Sequence, residues 1–154
     1  MTDPAIPSPA PACPRVLLLD DDRFALDLLE EMVGDLGAFD IACEADARRA
    51  LASVAAQPPA LLICDLSMPD MDGIEFLGEA ASLGFKGQVM LLSGMDAGVR
   101  HAAEWLARAS GLSVIGAFPK PISSAELRSA LAGLLNRTPP SIDDVYNVTT
   151  LSGK

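Results

Sequence analysis

The sequence is short of positive charge. Lysine and arginine together number 11 against 21 aspartates and glutamates, a formal net charge of -10. A general nucleic-acid binder needs a basic face to release counterions from phosphates, so that class is set aside. A divalent cation or a basic protein surface stays compatible with the charge. Histidine occurs once, at His101, on a segment of helical pattern with polar neighbours, and reads as neither ligand nor catalytic group. The three cysteines are Cys13, Cys43 and Cys64. Their number is odd and their spacing fits no metal motif, and Cys64 lies inside an apolar run, so reduced thiols in a cytoplasmic protein are expected. No apolar run approaches the roughly 20 residues that span a bilayer. The stretch from Met1 to Arg15 lacks the apolar core of a secretory signal.

What is present suits one domain with two tails. Half of the 154 residues are apolar, enough for a substantial core. Residues 1–14 carry Pro4, Pro7, Pro9, Pro11 and Pro14 among small residues, the composition of a disordered or polyproline-like arm. Residues 137–154 open with Thr138-Pro139-Pro140 and turn polar, as a tail or linker does. Between them, over 15–136, strand and helix patterns alternate. Apolar runs at Val16 to Leu19, Ala60 to Cys64, Val89 to Leu92 and Val114 to Phe118, and an apolar–polar alternation over Phe39 to Ala45 that suits an edge or half-buried strand, predict five strands. Ala25, Leu28, Leu29, Met32 and Leu36 recur at helical spacing before Gly37. Ala47, Ala50, Leu51, Val54 and Ala55 do so before Pro58-Pro59, and Ile74, Leu77 and Ala81 before Gly84. A fourth helix is predicted over about Ala97 to Ser110, and a fifth is marked by Leu127, Leu131, Leu134 and Leu135. Alternation of this kind implies an α/β fold, a single doubly wound five-stranded parallel sheet with helices on both faces. The expected order is 2-1-3-4-5, as in flavodoxin-like folds, with ligands beyond the carboxyl ends of the strands.

Those strand ends carry suggestive chemistry. The first strand ends in Asp20-Asp21-Asp22, the third in Asp65, the fourth in Ser93-Gly94 and the fifth in Lys120-Pro121. Several carboxylates in one pocket repel and need neutralising. Mg²⁺ does this with oxygen ligands while keeping part of its water, and it offsets charge on a phosphoryl group. A carboxylate nucleophile in line with phosphorus yields an aspartyl-phosphate. Ser93 and Lys120 can hold the remaining phosphoryl oxygens, and Gly94 lets the anion come close to the backbone. Each residue also has a plainer reading. Asp20 to Asp22 can be an acidic helix start with Asp22 as cap. Asp65 and Ser93-Gly94 can be turn residues, and Lys120 a solvated lysine.

The blocks VLLLDDD (16–22), LLICDLSMPDMDG (61–73), MLLSG (90–94) and FPKP (118–121) together resemble the signature blocks of response-regulator receiver domains of the two-component, chemotaxis type. The resemblance covers about residues 15 to 136. It implies that Asp65 is the phosphoacceptor and a Mg²⁺ ligand, that Asp21 binds the metal directly and Asp20 mostly through water, and that Ser67 lends its carbonyl. It further implies that Leu66, Ser67, Ser93, Gly94 and Lys120 surround the phosphoryl group, that Ser93 moves toward it, and that Lys120-Pro121 is a cis peptide. Met68-Pro69 and Met71-Asp72-Gly73 shape the following loop. The implied donor is a histidine kinase or a histidine phosphotransfer protein, the implied output a downstream effector or a homodimer, and the implied chemistry a self-catalysed transfer rather than enzymatic turnover. The stretch Gly111 to Gly116 is similar to receivers attached to cyclic-di-GMP phosphodiesterase (EAL) domains.

The chain departs from the family where the signal leaves the site. Many receivers place an aromatic ring three residues before the lysine, and here that residue is Ala117, while strand alternation turns Phe118 to the opposite face. On the fourth helix, Val99, Ala102, Ala103 and Leu106 are expected to face the sheet. His101, Trp105 and Arg108 then form a stripe that suits a partner or dimer surface, unless the Trp105 ring folds over a neighbouring helix. With Ala117 and Phe118 they make up the expected output face. Two other functions compete. A haloacid-dehalogenase-type phosphatase would use Asp20, Asp22, Ser93 and Lys120, but no apolar strand precedes its required acidic pair at Asp143-Asp144, and the Asp65 to Gly73 block stays unexplained. A receiver-like module that binds partners without phosphate is the other. In the family, the residues two beyond the acceptor and two beyond the serine govern loss of the phosphoryl group. Here they are Ser67 and Met95, neither an acid nor an amide that positions water. A long-lived aspartyl-phosphate is therefore expected, and its decay within seconds in a radiolabel chase would contradict this reading.

Overall fold

A computed structural model describes residues 13–68, 71 and 73–135. Residues 1–12 of the expected arm, residue 136 and the tail over 137–154 lie outside the described residues, as do Pro69, Asp70 and Asp72 of the loop after Asp65. The elements alternate as β1 (Arg15–Leu19), α1 (Arg23–Leu36), β2 (Asp40–Glu44), α2 (Ala47–Ala56), β3 (Leu61–Asp65), α3 (Gly73–Ser82), β4 (Gln88–Ser93), α4 (Ala97–Ala109), β5 (Ser113–Pro119) and α5 (Ser124–Leu135). The five strands form one sheet in the order β2-β1-β3-β4-β5, and every pairing is parallel. This is the architecture expected from the alternation.

Strand pleating divides the core in two. Leu17, Leu19, Leu62, Cys64, Val89 and Leu91 point to one face, where they meet Ala50 and Val54 of α2, Phe76 and Leu77 of α3, and Ala103 and Ala107 of α4. Val16, Leu18, Leu61, Ile63, Met90 and Leu92 point to the other, where they meet Leu26, Leu29 and Val33 of α1 and Leu127 and Leu131 of α5. Residues i and i+1 of one strand thus serve opposite cores, which is why the central strands read as unbroken apolar runs.

Local signals start the helices at the strand ends. Asp22 accepts from the Phe24 and Ala25 amides, Asp46 from that of Arg49 and Asp96 from that of Val99. At α5, Ser123 Oγ accepts from the Glu126 amide at 3.0 Å while Glu126 Oε1 accepts from the Ser123 amide at 3.2 Å, a reciprocal capping box. Gly73 opens α3 under steric constraint, because a Cβ there would lie 2.6 Å from the Leu66 Cα.

The helix faces differ from expectation in detail. α1 buries Leu26, Leu29 and Val33, while Leu28 is exposed. α3 buries Phe76, Leu77 and Ala80, while Ile74 is exposed. α4 seats only Ala103 and Ala107 on the sheet, and Val99, Ala102 and Leu106, expected to face it, are exposed. In each case the apolar arc is broader than the seam a flat sheet can cover, so spacing alone does not say which edge of the arc is buried. One strand feature was absent from the sequence pattern. The β4–β5 register steps from Val89↔Val114 to Met90↔Gly116, leaving Ile115 as an extra residue. This bulge resets the alternation, so that Ala117 packs with the α2/α3/α4 core and Phe118 with the α1/α5 core.

Candidate functional site

The switch in chain direction lies between β1 and β3, and the carboxyl ends of these strands carry the acids. Asp20 follows β1 directly and Asp65 ends β3. Both are 3 % exposed, and Ser93, at the end of β4, is fully buried. Carboxylate oxygens of Asp20, Asp21 and Asp65 lie within 4.8 Å of one another. Asp21 is exposed and forms the outer lip. Residues from positions 20 to 120 are brought together because parallel strands all end on the same edge of the sheet.

Hydrogen bonds fix the acids in orientation. Asp20 Oδ1 accepts from the Asp22 amide at 2.9 Å, and Asp65 Oδ1 accepts from the Ser67 amide at 3.1 Å. Lys120 Nζ reaches both carboxylates, 2.7 Å from Asp20 Oδ2 and 3.5 Å from Asp65 Oδ2. Its backbone is placed by its amide donating a hydrogen bond to the Ser93 carbonyl at 3.0 Å and by a cis Lys120–Pro121 peptide. Ser93 Oγ accepts from the Met95 amide at 2.9 Å.

The electrostatics are unbalanced, with three carboxylates facing one ammonium. Burial raises the pKa of Asp65 to about 6; the Ser67 amide and the Lys120 charge work against the shift, while Asp20 adds to it. Burial also opposes the charge on Lys120, but its hydrogen bond to Asp20 and the charges of Asp65 and Asp20 outweigh that, and its pKa is raised. The buried Cys64 is held as a thiol, first by desolvation and then by Asp65 and Asp20, and its Sγ lies 3.3 Å from the Asp65 carbonyl. Cys43 is likewise pushed up to about 11, by burial and then by Glu30.

Several expected site residues stand differently from the central cluster. Asp22 is spent on capping α1, so it does not join Asp20 in an Asp-x-Asp pocket of the phosphatase kind. The Leu66 amide is taken by the Leu92 carbonyl at 2.9 Å and its side chain is in the core. The protein's own packing makes no demand for glycine at position 94, since a Cβ there would meet nothing within 4 Å. On α4, Arg108 is paired with Glu104 at 2.6 Å. His101 is exposed, and so is Trp105, at 68 %. Two features went unnoticed in the sequence. Phe24 and Leu28 expose apolar surface on the first turns of α1, and Leu28 borders a depression that ends on Asp20 and Lys120. Arg100 Nη1 donates to the Met95 carbonyl at 2.5 Å, a bond back across the start of α4 that an arginine in a helix does not announce.

Comparison with known proteins agrees with this geometry. Residues 16–132 match the family described as the response regulator receiver domain. The chain is 30 % identical over 134 residues to the response regulator MprA of Mycobacterium avium, covering 87 % of this chain and 56 % of that protein. It therefore spans about half the length of the mycobacterial relatives it matches. It is 33 % identical over 112 residues to an uncharacterised 14.6 kDa protein of Leptolyngbya boryana, covering 73 % of this chain and 82 % of that one. Among solved structures, a response regulator from Colwellia psychrerythraea superposes with a TM-score of 0.72 at 37 % identity, covering 82 % of this chain and 100 % of that one. From the strand order, the acidic strand ends and a family match that runs from β1 into α5, the chain belongs to the response regulator receiver domain family.

Proposed function

We propose that Asp65 takes a phosphoryl group from the phosphohistidine of a histidine kinase or histidine phosphotransfer protein, and that Mg²⁺ bound beside it is required. The observation that carries this reading is the buried Asp65 carboxylate, set within ligand distance of Asp20 and Asp21 and within reach of the Lys120 ammonium. The residues fit a hard divalent cation, because the oxygen donors converge and their charge exceeds what Lys120 neutralises. Asp21, Asp65 and the Ser67 carbonyl would hold the ion, with Asp20 acting through water. When bound, Mg²⁺ supplies charge stabilisation to the phosphoryl oxygens.

The chain's own residues do the rest. The Ser67 amide orients the Asp65 carboxylate, whose oxygen bonds to phosphorus as the donor's P–N bond breaks and the imidazole leaves. Lys120 shifts from the carboxylates toward the added oxygens, and Ser93 donates its hydroxyl proton to one of them. A donor must bring phosphorus to bonding distance of Asp65, so its surface covers the rim where Phe24 and Leu28 are exposed. The reaction changes the protein rather than turning over a substrate, and the output is a changed binding face.

Two measurements test this. Incubation with Mg²⁺ and acetyl phosphate should add one phosphoryl group by intact mass, and neither Asp65→Ala nor omission of Mg²⁺ should permit it. Absence of any gain in the wild type would favour a phosphate-independent binding module, and sustained release of phosphate from p-nitrophenyl phosphate a phosphatase. The second measurement is stability. A carboxyl whose pKa rises from 3.8 unfolded to about 6 folded contributes stability at low pH that is lost as pH rises through 6. Without Mg²⁺, Asp65→Asn should therefore be more stable than the wild type at pH 7.5 by on the order of 1–3 kcal/mol. The gap should shrink toward pH 4, and added Mg²⁺ should narrow it by stabilising the wild type. Equal denaturation midpoints at both pH values would refute the electrostatic account.

A further inference from the structure

We propose that Arg100 is the positioning residue through which the state of the phosphoryl pocket reaches α4, in place of a ring at position 117; the proposal rests on Asp65 being the acceptor. The position three before Lys120 holds Ala117, whose methyl packs with the core that contains Ala103 and Ala107 of α4. Nothing at that position can swing inward when Ser93 moves.

A different connection leaves Ser93. Its backbone is fixed, because its carbonyl accepts from the Lys120 amide at 3.0 Å and the residue is the last of β4, paired with Pro119. Only its side chain is free to respond. The Oγ accepts from the Met95 amide at 2.9 Å. A phosphoryl oxygen on Asp65 is a strong acceptor for the Ser93 hydroxyl, and when the Oγ itself swings toward it the Met95 amide must follow or lose its partner. The Met95 carbonyl is in turn held by Arg100 Nη1 at 2.5 Å. Asp96, the next residue, caps α4 through the Val99 amide. Movement of Met95 is thus passed to the first turn of α4 at two points, the cap and the guanidinium. Glu104, one turn further on, is paired with Arg108 at 2.6 Å, which leaves the Arg100 fork to the loop.

The seat of α4 is suited to being moved. α1 buries two leucines and a valine, and α3 a phenylalanine and a leucine, whereas α4 buries two alanines. Less apolar area resists a shift of α4 than of its neighbours. Its outer surface carries Val99, Trp105 and Leu106, all exposed, so a shift of the helix re-presents an apolar face.

Trp105 is the protein's single tryptophan and reports on α4 directly. Wild type, Arg100→Met and Arg100→Lys are each saturated with Mg²⁺ and beryllofluoride, and Trp105 emission is followed. Uptake of one phosphoryl group from acetyl phosphate is checked by mass on the same preparations. We expect all three to take the phosphoryl group, the wild type and Arg100→Lys to change emission, and Arg100→Met to show less than a third of the wild-type change. A full change in Arg100→Met would overturn the relay while leaving the acceptor reading intact. No phosphoryl uptake in any of the three would overturn the acceptor reading and the relay with it.

Discussion

Three carboxylates confined at the edge of one sheet set the terms for the rest of this protein. Asp20, Asp21 and Asp65 lie close enough for their oxygens to share a ligand, and two of them are almost wholly buried. Such a cluster is unfavourable in isolation, and the fold holds it by anchoring each acid to a rigid strand end and by setting Lys120 against two of them. The cost is visible in Asp65, whose pKa is lifted to about 6, by burial above all. The excess negative charge of such a pocket is what a divalent cation with oxygen ligands would offset.

The sheet makes the arrangement possible. Parallel strands bring positions separated by a hundred residues to one edge, and the alternate faces of β1, β3 and β4 bury two separate cores that keep those strands in register. Small local devices then aim the chain. The Asp22 cap turns it into α1 immediately after the acids, and Gly73 lets α3 start against the Leu66 backbone. The two sides of the molecule differ in how firmly they hold their helices. The alanine seat of α4 contrasts with the larger side chains under α1 and α3, and the first turn of α4 directly follows the loop that leaves Ser93.

The element order and the converging acids were legible in the sequence because each depends on a strong local signal: strands of apolar or alternating pattern, helical periodicity, and chemistry placed at the strand ends; the strand order followed from the flavodoxin-like precedent for such alternation. The buried edges of the helices were not. Leu28, Ile74, Val99 and Leu106 look like core residues by spacing and lie on the open margin of arcs wider than the sheet covers. The bulge at Ile115 was invisible because Val114-Ile115-Gly116 offers no alternation to interrupt. Within the site, residue types gave the acids, the hydroxyl and the ammonium. They also offered Asp22 as a helix cap, which it is, but they could not show that the Leu66 amide is already engaged, since that depends on backbone geometry. The Arg100 bond to Met95 was hidden for the same reason, as a carbonyl acceptor leaves no trace in sequence.

The central claim is that one carboxylate, Asp65, forms the bond to phosphorus. Borohydride reduces an aspartyl-phosphate to homoserine, so reduction of the phosphorylated protein followed by peptide sequencing reads the acceptor directly. The account requires homoserine at position 65 and aspartate still at positions 20 and 21. Homoserine at 20 or 21, or phosphate retained on Ser93 or His101 after reduction, would contradict it.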